Sequence, residues 1–498
     1  MLRLLARNGN ARHSHLIHDN GLYYGTFTKE EYEEAKSYVT TQYLNLEKEI
    51  KGTHNVRENL GKMPQFPSFE PRKPVHDLLS FFQETIKTTG PISLSAYMRQ
   101  CLTHPQFGYY TTRDPLDPLS GDFITSPEIS SVFGEMVGTW LYTVWESQGS
   151  PKNVNFIEFG PGKGTLMTDT VRVFSKFATL RGVQWTGNIV LVEASPVLRE
   201  KQREELCVPE SKLEKNSSGF FSAKSKWGST VTWVYTEKDI VFKPEDCNYA
   251  LVHEFFDALP IRSFVNMENG WRELLVEHSP SVMNTQSKLP LSEEVSADSA
   301  GELEMEFHLT ASIRETPSSV IPTVRNRLKN LPIGSRIEVC ADAEFYMKRI
   351  VELVRGSNGA ALIVDYGPAD EVPLNSLRGI YKHKFVSPFY KPGEVDLSID
   401  VDFGNLKVLA GNKVAAFGPA EQGDWLHEMG IGHRFDQLIK AANLMANKEL
   451  LYESYLRLTS KEERGMGKIY KFLALMPPGS AKPAGFGHCT STILERSK

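Results

Sequence analysis

The sequence predicts an α/β protein built on a doubly wound, mostly parallel sheet that ends in an antiparallel pair. Five short apolar runs recur between residues 153 and 367, several of them separated by stretches with helical spacing, and each gives way to polar residues. The first run, NVNFIEF, meets three closely spaced glycines and then an amphipathic stretch. Strand, glycine turn and helix in that order open a sheet whose ligands are expected at the carboxyl ends of its strands. Two late runs, KVAAFGP and KIYKFLALMPP, supply the antiparallel pair.

With 498 residues the chain can hold two or three domains or one elaborated α/β domain. A net charge of -5 gives no basic surplus of the kind that marks a nucleic-acid partner. Cys101, Cys207, Cys247, Cys340 and Cys489 are far apart, odd in number and without a CxxC pair, so neither a disulfide framework nor a zinc site is expected, and a reducing compartment is the simpler reading. No apolar run approaches the roughly 20 residues that cross a bilayer, which predicts a soluble or peripheral protein.

Residues 1–18 carry Arg3, Arg7 and Arg12 and no acid, as a mitochondrial transit peptide does; a disordered basic terminus is the alternative. Residues 19–74 read as an extension, with one helix in KEEYEEAKSYVTTQYLNLEKEI and a proline-rich linker, KMPQFPSFEPRKP. Residues 75–150 form an expected helical cap: HDLLSFFQETIKTTG stops at Gly90, and ISLSAYMRQCLTHP follows. In GDFITSPEISSVFGEMVGTWLYTVWES, Ser126 or Thr125 can cap a helix begun by Pro127 and Glu128. The stripe Ile129, Val132, Phe133, Met136, Val137, Trp140, Leu141 and Val144 is core. Asp122 and Ser126 join the cofactor-binding candidates, because a helix start beside the glycine turn can close a pocket, although a simple cap explains Ser126 equally well.

Residues 151–478 form the sheet domain, with a β-rich insertion at about 262–312, and residues 479–498 form a tail. In the first unit Val154, Phe156 and Ile157 are buried-strand residues, Gly160, Gly162 and Gly164 make the turn, and Thr165 opens a helix with Leu166, Val173, Phe174, Phe177 and Leu180 on one face. NIVLVEAS ends in Glu193, where nucleotide-binding sheets place a partner for ribose hydroxyls, although a strand-end glutamate is more often simply solvated. STVTWVYTEKDI is the third strand. NYALVHEFFDALPI, the fourth, brings His253, Glu254 and Asp257 to the same edge; satisfying loop backbone groups is the alternative role for His253 and Asp257.

RSFVNMENGWRELLVEH predicts a hairpin with Asn269 and Gly270 in its turn, followed by an exposed insertion over 279–300. GAALIVDYG is the fifth strand, and a long helical tract is expected from Arg434 to Thr459.

GPGKGT is neither the spacing G-x-G-x-x-G nor a P-loop. Its informative residue is Glu158, two before the first glycine, because a carboxylate there repels a pyrophosphate and accepts from an ammonium group. A phosphate-free ligand with an adenosine half and an amino-acid half suits the site: S-adenosylmethionine, its amino-acid end near Glu158 and its ribose near Glu193.

The blocks GDFITSPEIS, EFGPGKGT, HEFFDALP, DYGPAD, LRGIYKHK and PGEVDLSIDVDF, in this order, resemble the MidA family of mitochondrial methyltransferases, and the resemblance covers roughly Val75 to Pro478. It implies a class I S-adenosylmethionine-dependent methyltransferase fold and a matrix location. It also implies symmetric dimethylation of an arginine on a matrix-arm subunit of respiratory complex I. Glu254 and Asp257 are then the expected catalytic residues, holding the guanidinium and taking its proton, with His253 as a relay. Two rivals differ in class: a nicotinamide-dependent oxidoreductase, disfavoured by the glycine spacing and by Glu158, and a non-catalytic assembly chaperone that keeps the fold.

Overall fold

The computed structural model describes residues 76–113, 121–122, 124–243, 245–278 and 306–487, together with Ser37 and Thr41, both helical. The expected transit peptide, the linker and the 279–300 insertion lie outside the described residues. So does most of the expected helix over 29–50.

From Asp77 the chain begins with α1 (Leu78–Thr89), whose first turn is capped by the Asp77 carboxylate accepting the Ser80 N–H. Gly90 ends it at φ 81°. A two-residue strand, β1 (Ile92–Ser93), leads into α2 (Leu94–Thr103), capped by Ser93. The next expected helix is broken. Residues Ser126–Ile129 make one turn, Ser130 is extended, and α3 (Ser131–Ser147) restarts when the Ser130 hydroxyl accepts the Val132 N–H. Neither Thr125 nor Ser126 caps the first turn through its side chain. Serine competes for backbone donors, so the cap forms four residues late. The stripe from Val132 to Val144 is buried.

The sheet domain then unfolds in order: β2 (Asn153–Phe159), α4 (Thr165–Leu180), β3 (Thr186–Val192), α5 (Pro196–Leu206), β4 (Glu214–Lys215), β5 (Phe221–Lys224), β6 (Thr230–Val234) and β7 (Cys247–His253). It continues with β8 (Ile261–Met267), β9 (Gly270–His278), β10 (Phe307–Ala311), β11 (Arg336–Cys340), α6 (Asp342–Arg355) and β12 (Ala360–Tyr366). The last elements are β13 (Arg378–Tyr381), β14 (Lys384–Val386), β15 (Asp396–Ser398), α7 (Phe403–Ala410), β16 (Ala415–Glu421), α8 (Gln422–Glu428), α9 (Ile431–Ala441), α10 (Met445–Thr459) and β17 (Tyr470–Met476).

Nine strands form the main sheet in the order β16-β17-β12-β7-β2-β3-β6-β5-β4. The five from β12 to β6 run parallel. β17 is antiparallel to both β12 and β16, the expected terminal pair. β4 and β5 extend the opposite edge antiparallel, which sequence reading did not anticipate. The chain moves outward from β2 through β3 to β6 and then returns to β7, so the strand order reverses beside β2 and opens a crevice there.

Alternation along β2 divides the core. Val154 and Phe156 face α3 and α4, whereas Ile157 and Phe159 pack with α6 and α7. Glu158 shares the face of Phe156. In α4 Leu166, Val173 and Phe174 are buried, but the last residue, Leu180, is exposed against expectation.

A second sheet joins β1, β9, β8 and β11, with β10 on β9. Met267 pairs with Gly270, so Glu268 and Asn269 occupy the hairpin turn and Gly270, at φ 101°, opens β9 instead of sitting in the turn. β14, β13 and β15 make a third, small sheet. The expected helical tract from Arg434 is two helices, interrupted where Ala442 is extended next to Asn443, a residue that favours turns. Among the described residues no helix is long and apolar enough to cross a membrane, and the four described cysteines are free thiols.

Candidate active site

Backbone ladders carry the polar residues to one edge. The strand pairing continues one residue past β3 and β7: the Glu193 N–H donates to Val234 O and the Glu254 N–H to Val364 O, each at 2.9 Å. Both side chains therefore emerge at the carboxyl edge beside Glu158, which stands in register with Leu191 and Leu251. A cavity of about 770 Å³ opens there. Its walls include Asp122, Glu158, Gly160, Gly162, Thr165, Glu193, His253, Glu254 and Asp257. Gly164 and Ser126, also expected at the site, do not line it.

On one side the cavity is bounded by the glycine turn. Gly160, Gly162 and Gly164 have φ of 63°, 53° and 88°, the left-handed region that side chains disfavour. At Gly160 a Cβ would also stand 3.0 Å from the Phe255 ring. Gly164 caps α4 and packs on Leu206 and Gln202. Thr165 donates to Glu128 Oε1 at 2.7 Å, joining α4 to the Ser126–Ile129 turn.

Glu158 is 2% exposed, and its Oε2 has no hydrogen-bond partner. Burial pushes its carboxyl up to about 8. Glu193 is better supported: Oε1 accepts the Ser195 N–H at 2.7 Å and Oε2 the Gln202 amide at 3.0 Å. The same Gln202 amide donates to Gly162 O at 2.7 Å, and its oxygen accepts from Trp233 at 2.8 Å, so the Glu193 carboxylate and the glycine turn are held by one side chain. Burial raises Glu193 to about 7, against the pull of the Ser195 and Gln202 bonds.

Asp122 is committed to structure as well as to the wall. Its carboxylate accepts from the Tyr109 hydroxyl at 2.7 Å and from the Lys382 N–H at 2.6 Å, while its carbonyl accepts the His383 N–H at 3.1 Å, which fastens the β13–β14 turn. Ser126 is fully buried, with its hydroxyl 3.5 Å from Gln422 Oε1, and its backbone N–H donates to Glu254.

Opposite the glycine turn the cavity is acidic. Glu254 has φ 46°, a strained conformation for a non-glycine residue, and its Oε1 is unpartnered. Burial and the charge of Asp257 hold its carboxyl well above the usual range, opposed by bonds from Tyr470 and the Ser126 N–H. Asp257 accepts from the Tyr366 hydroxyl and, at 3.3 Å, from Ser398 through Oδ2; its Oδ1 is unpartnered. His253 Nε2 lies 3.5 Å from Glu254 Oε1, yet neither atom makes a hydrogen bond. Burial lowers the imidazole to about 3, so the contact is not an ion pair at neutral pH.

Strand-end reasoning missed several neighbours. Asp396 accepts from Tyr110 at 2.8 Å and is raised to about 7 by burial and then by Asp257. Arg378 is a cation of this wall, 5.1 Å from the centre of the Tyr366 ring and 2.8 Å from Asp400. Tyr366 and Tyr470 complete it. Each comes from a separate element, and only the fold brings them together.

A model of a family of S-adenosyl-L-methionine-dependent methyltransferases matches residues 136–420. The chain belongs to this family. This methyltransferase is similar over most of its length to proteins called "Protein arginine methyltransferase NDUFAF7, mitochondrial". The Xenopus tropicalis protein is 33% identical over 407 residues, 81% of this chain and 87% of the relative. The Danio rerio protein is 35% identical over 401 residues, 80% and 86% of the two chains. The Homo sapiens protein is 33% identical over 406 residues, 81% and 84%. Two crystal structures of members of one superfamily from Burkholderia thailandensis share the methyltransferase's fold. One has a TM-score of 0.58 at 20% identity; the other, bound to S-adenosyl-homocysteine, has 0.56 at 19%. Each covers 82% of this chain and 92% of its own.

S-adenosyl-L-methionine is the cofactor, and the residues present suit it. The orphaned, buried Glu158 oxygen can accept from an amino-acid ammonium, and each Glu193 oxygen has a lone pair left for a ribose hydroxyl. The glycine turn lets the ligand approach the backbone.

Proposed function

We propose that this methyltransferase acts on arginine in proteins, forming symmetric dimethylarginine on a matrix-arm subunit of complex I in the mitochondrial matrix. The observation that carries the arginine reading is the pair of unpartnered carboxylate oxygens, Glu254 Oε1 and Asp257 Oδ1, on the wall of the cavity that also contains the cofactor residues. The names of the relatives support the same acceptor. The symmetric product, the complex I acceptor and the matrix rest on the resemblance of the sequence blocks.

When bound, S-adenosylmethionine supplies a methyl group already activated by a positively charged sulfur. The chain's own task is to hold the acceptor in line, and alignment of this kind supplies about 7–11 kcal/mol of barrier reduction. A guanidinium presents a planar fork of donors, which two acceptor oxygens on different residues match better than they match a lysine ammonium. Its charge also offsets the repulsion between Glu254 and Asp257. As the acceptor nitrogen gains its methyl carbon it loses a proton, and Glu254 takes it. His253 is a poor carrier, because a group lowered to about 3 binds protons weakly at neutral pH.

The test is incubation of purified enzyme and S-adenosylmethionine with isolated complex I matrix-arm subunits, read by mass spectrometry. Symmetric dimethylarginine at a defined site is the expected result. Methylation of lysine alone, or of no residue, would defeat the proposal.

A further inference from the structure

Asp365, the penultimate residue of β12, is fully buried, yet it does not line the cavity. Its Oδ2 accepts three successive backbone N–H groups, from Phe255 at 3.2 Å, Phe256 at 3.0 Å and Asp257 at 3.4 Å. Its Oδ1 accepts the Tyr366 N–H at 3.0 Å. The three donors to Oδ2 belong to the loop that leaves β7 through Glu254, whose backbone is in the left-handed region.

We infer that Asp365 is the positioning residue of the methyl-acceptor wall: by gathering the N–H groups of Phe255, Phe256 and Asp257, it holds Glu254 and Asp257 facing the cavity together. The inference rests on the arginine reading for its catalytic consequence but not for its geometry.

Three arguments carry it. A run of backbone N–H groups converging on one oxygen is an anion nest, and here a carboxylate from a neighbouring strand fills it. β12 is that neighbour, since Val364 pairs with His253. The position also brings a cost that packing alone does not explain. Burial, then the charges of Asp257 and Glu254, push the Asp365 carboxyl up, and the backbone donors act against them. A third acid would be excluded from such a site unless its hydrogen bonds were required. Finally, the next residue completes the clamp. The Tyr366 hydroxyl bonds the Asp257 carboxylate, so residues 365 and 366 fix Asp257 at both backbone and side chain.

Asparagine keeps one acceptor oxygen and turns an NH₂ toward the remaining N–H groups, whereas alanine keeps neither. In the full-length protein, Asp365→Asn lowers kcat on an arginine peptide at least tenfold and Asp365→Ala lowers it further, while KM for S-adenosylmethionine stays within threefold. Hydrogen exchange at Phe255, Phe256 and Asp257 accelerates in both variants, and the β7 and β12 amides remain protected. Unchanged kcat in Asp365→Asn overturns the inference. So does wild-type exchange at those three amides as fast as in an exposed loop, a measurement that needs no variant to fold. Wild-type protein inert on arginine peptides would defeat the acceptor reading instead, and the exchange data would still decide the positioning role.

Discussion

Glu158 shows how one buried carboxylate ties stability to ligand. Its folded value of about 8 stands above the ordinary range near 4.3, so the folded cofactor-free protein binds a proton more readily than the unfolded chain does. Ionising it therefore destabilises the fold progressively as pH rises from about 4 to about 8, by an amount on the order of a few kcal/mol at most. Glu158→Gln is expected to be the more thermally stable cofactor-free protein at pH 8 and the weaker binder of S-adenosylmethionine, by at least tenfold. Because an ammonium favours the carboxylate, binding near pH 7 is expected to release protons. Calorimetry in buffers of different ionisation enthalpy measures this release, which falls by up to one proton in Glu158→Gln. Glu254 gives the opposite kind of pH signal. In the proposed role of base it must be unprotonated, and its carboxyl is raised, so kcat/KM is expected to climb with pH through a limb above the usual carboxylate range. That limb should stay in place in His253→Asn, since His253 is already neutral throughout. Glu158, Glu193 and Glu254 were legible in the sequence because each closes an apolar run. Asp365 closes one as well, but nothing in DYG says that its oxygens turn inward to another strand's loop.

At the scale of elements, the strand–turn–helix unit could be read before any coordinates, since glycines at alternate positions have few uses other than left-handed backbone and close approach. Gly160→Val tests that reading: the left-handed conformation alone costs about 1–2 kcal/mol, and the Phe255 ring would have to shift to admit the side chain. Loss of cofactor binding together with a lowered Tm is expected, checked by calorimetry and thermal melts. Boundaries were less legible. The break at Ser130 and the late start of α3 go with the Ser130 hydroxyl accepting the Val132 N–H, a local bond that helical periodicity does not register. The β8–β9 turn is displaced by one residue for a related reason: pairing of Met267 with Gly270 fixes the register, and Asn-Gly marks the turn only approximately.

For the sheet domain as a whole, apolar runs predict strands but not their neighbours. The order β12-β7-β2-β3 is what sets Asp365 under the Glu254 loop and Glu193 beside Glu158, and the Gln202 link from Glu193 to the glycine turn exists only once α5 has returned across that edge. The same holds for the small β14-β13-β15 sheet, which adds Arg378 and Asp396 to the cavity lining from sequence far beyond β7. Charge there follows from this convergence: Glu254, Asp257 and Asp396, brought from separate segments, line the cavity with Arg378, an acidic excess that favours a positively charged ligand.

The central claim is that one cavity binds S-adenosylmethionine on its glycine-turn side and presents Glu254 to an arginine on the other. Comparing wild type with Glu254→Gln on an arginine peptide, with cofactor affinity and turnover measured separately, tests it most directly. The account predicts a kcat lower by about 10²–10⁴-fold with the S-adenosylmethionine Kd nearly unchanged; equal turnover in the two proteins, or loss of cofactor binding in step with turnover, would contradict it.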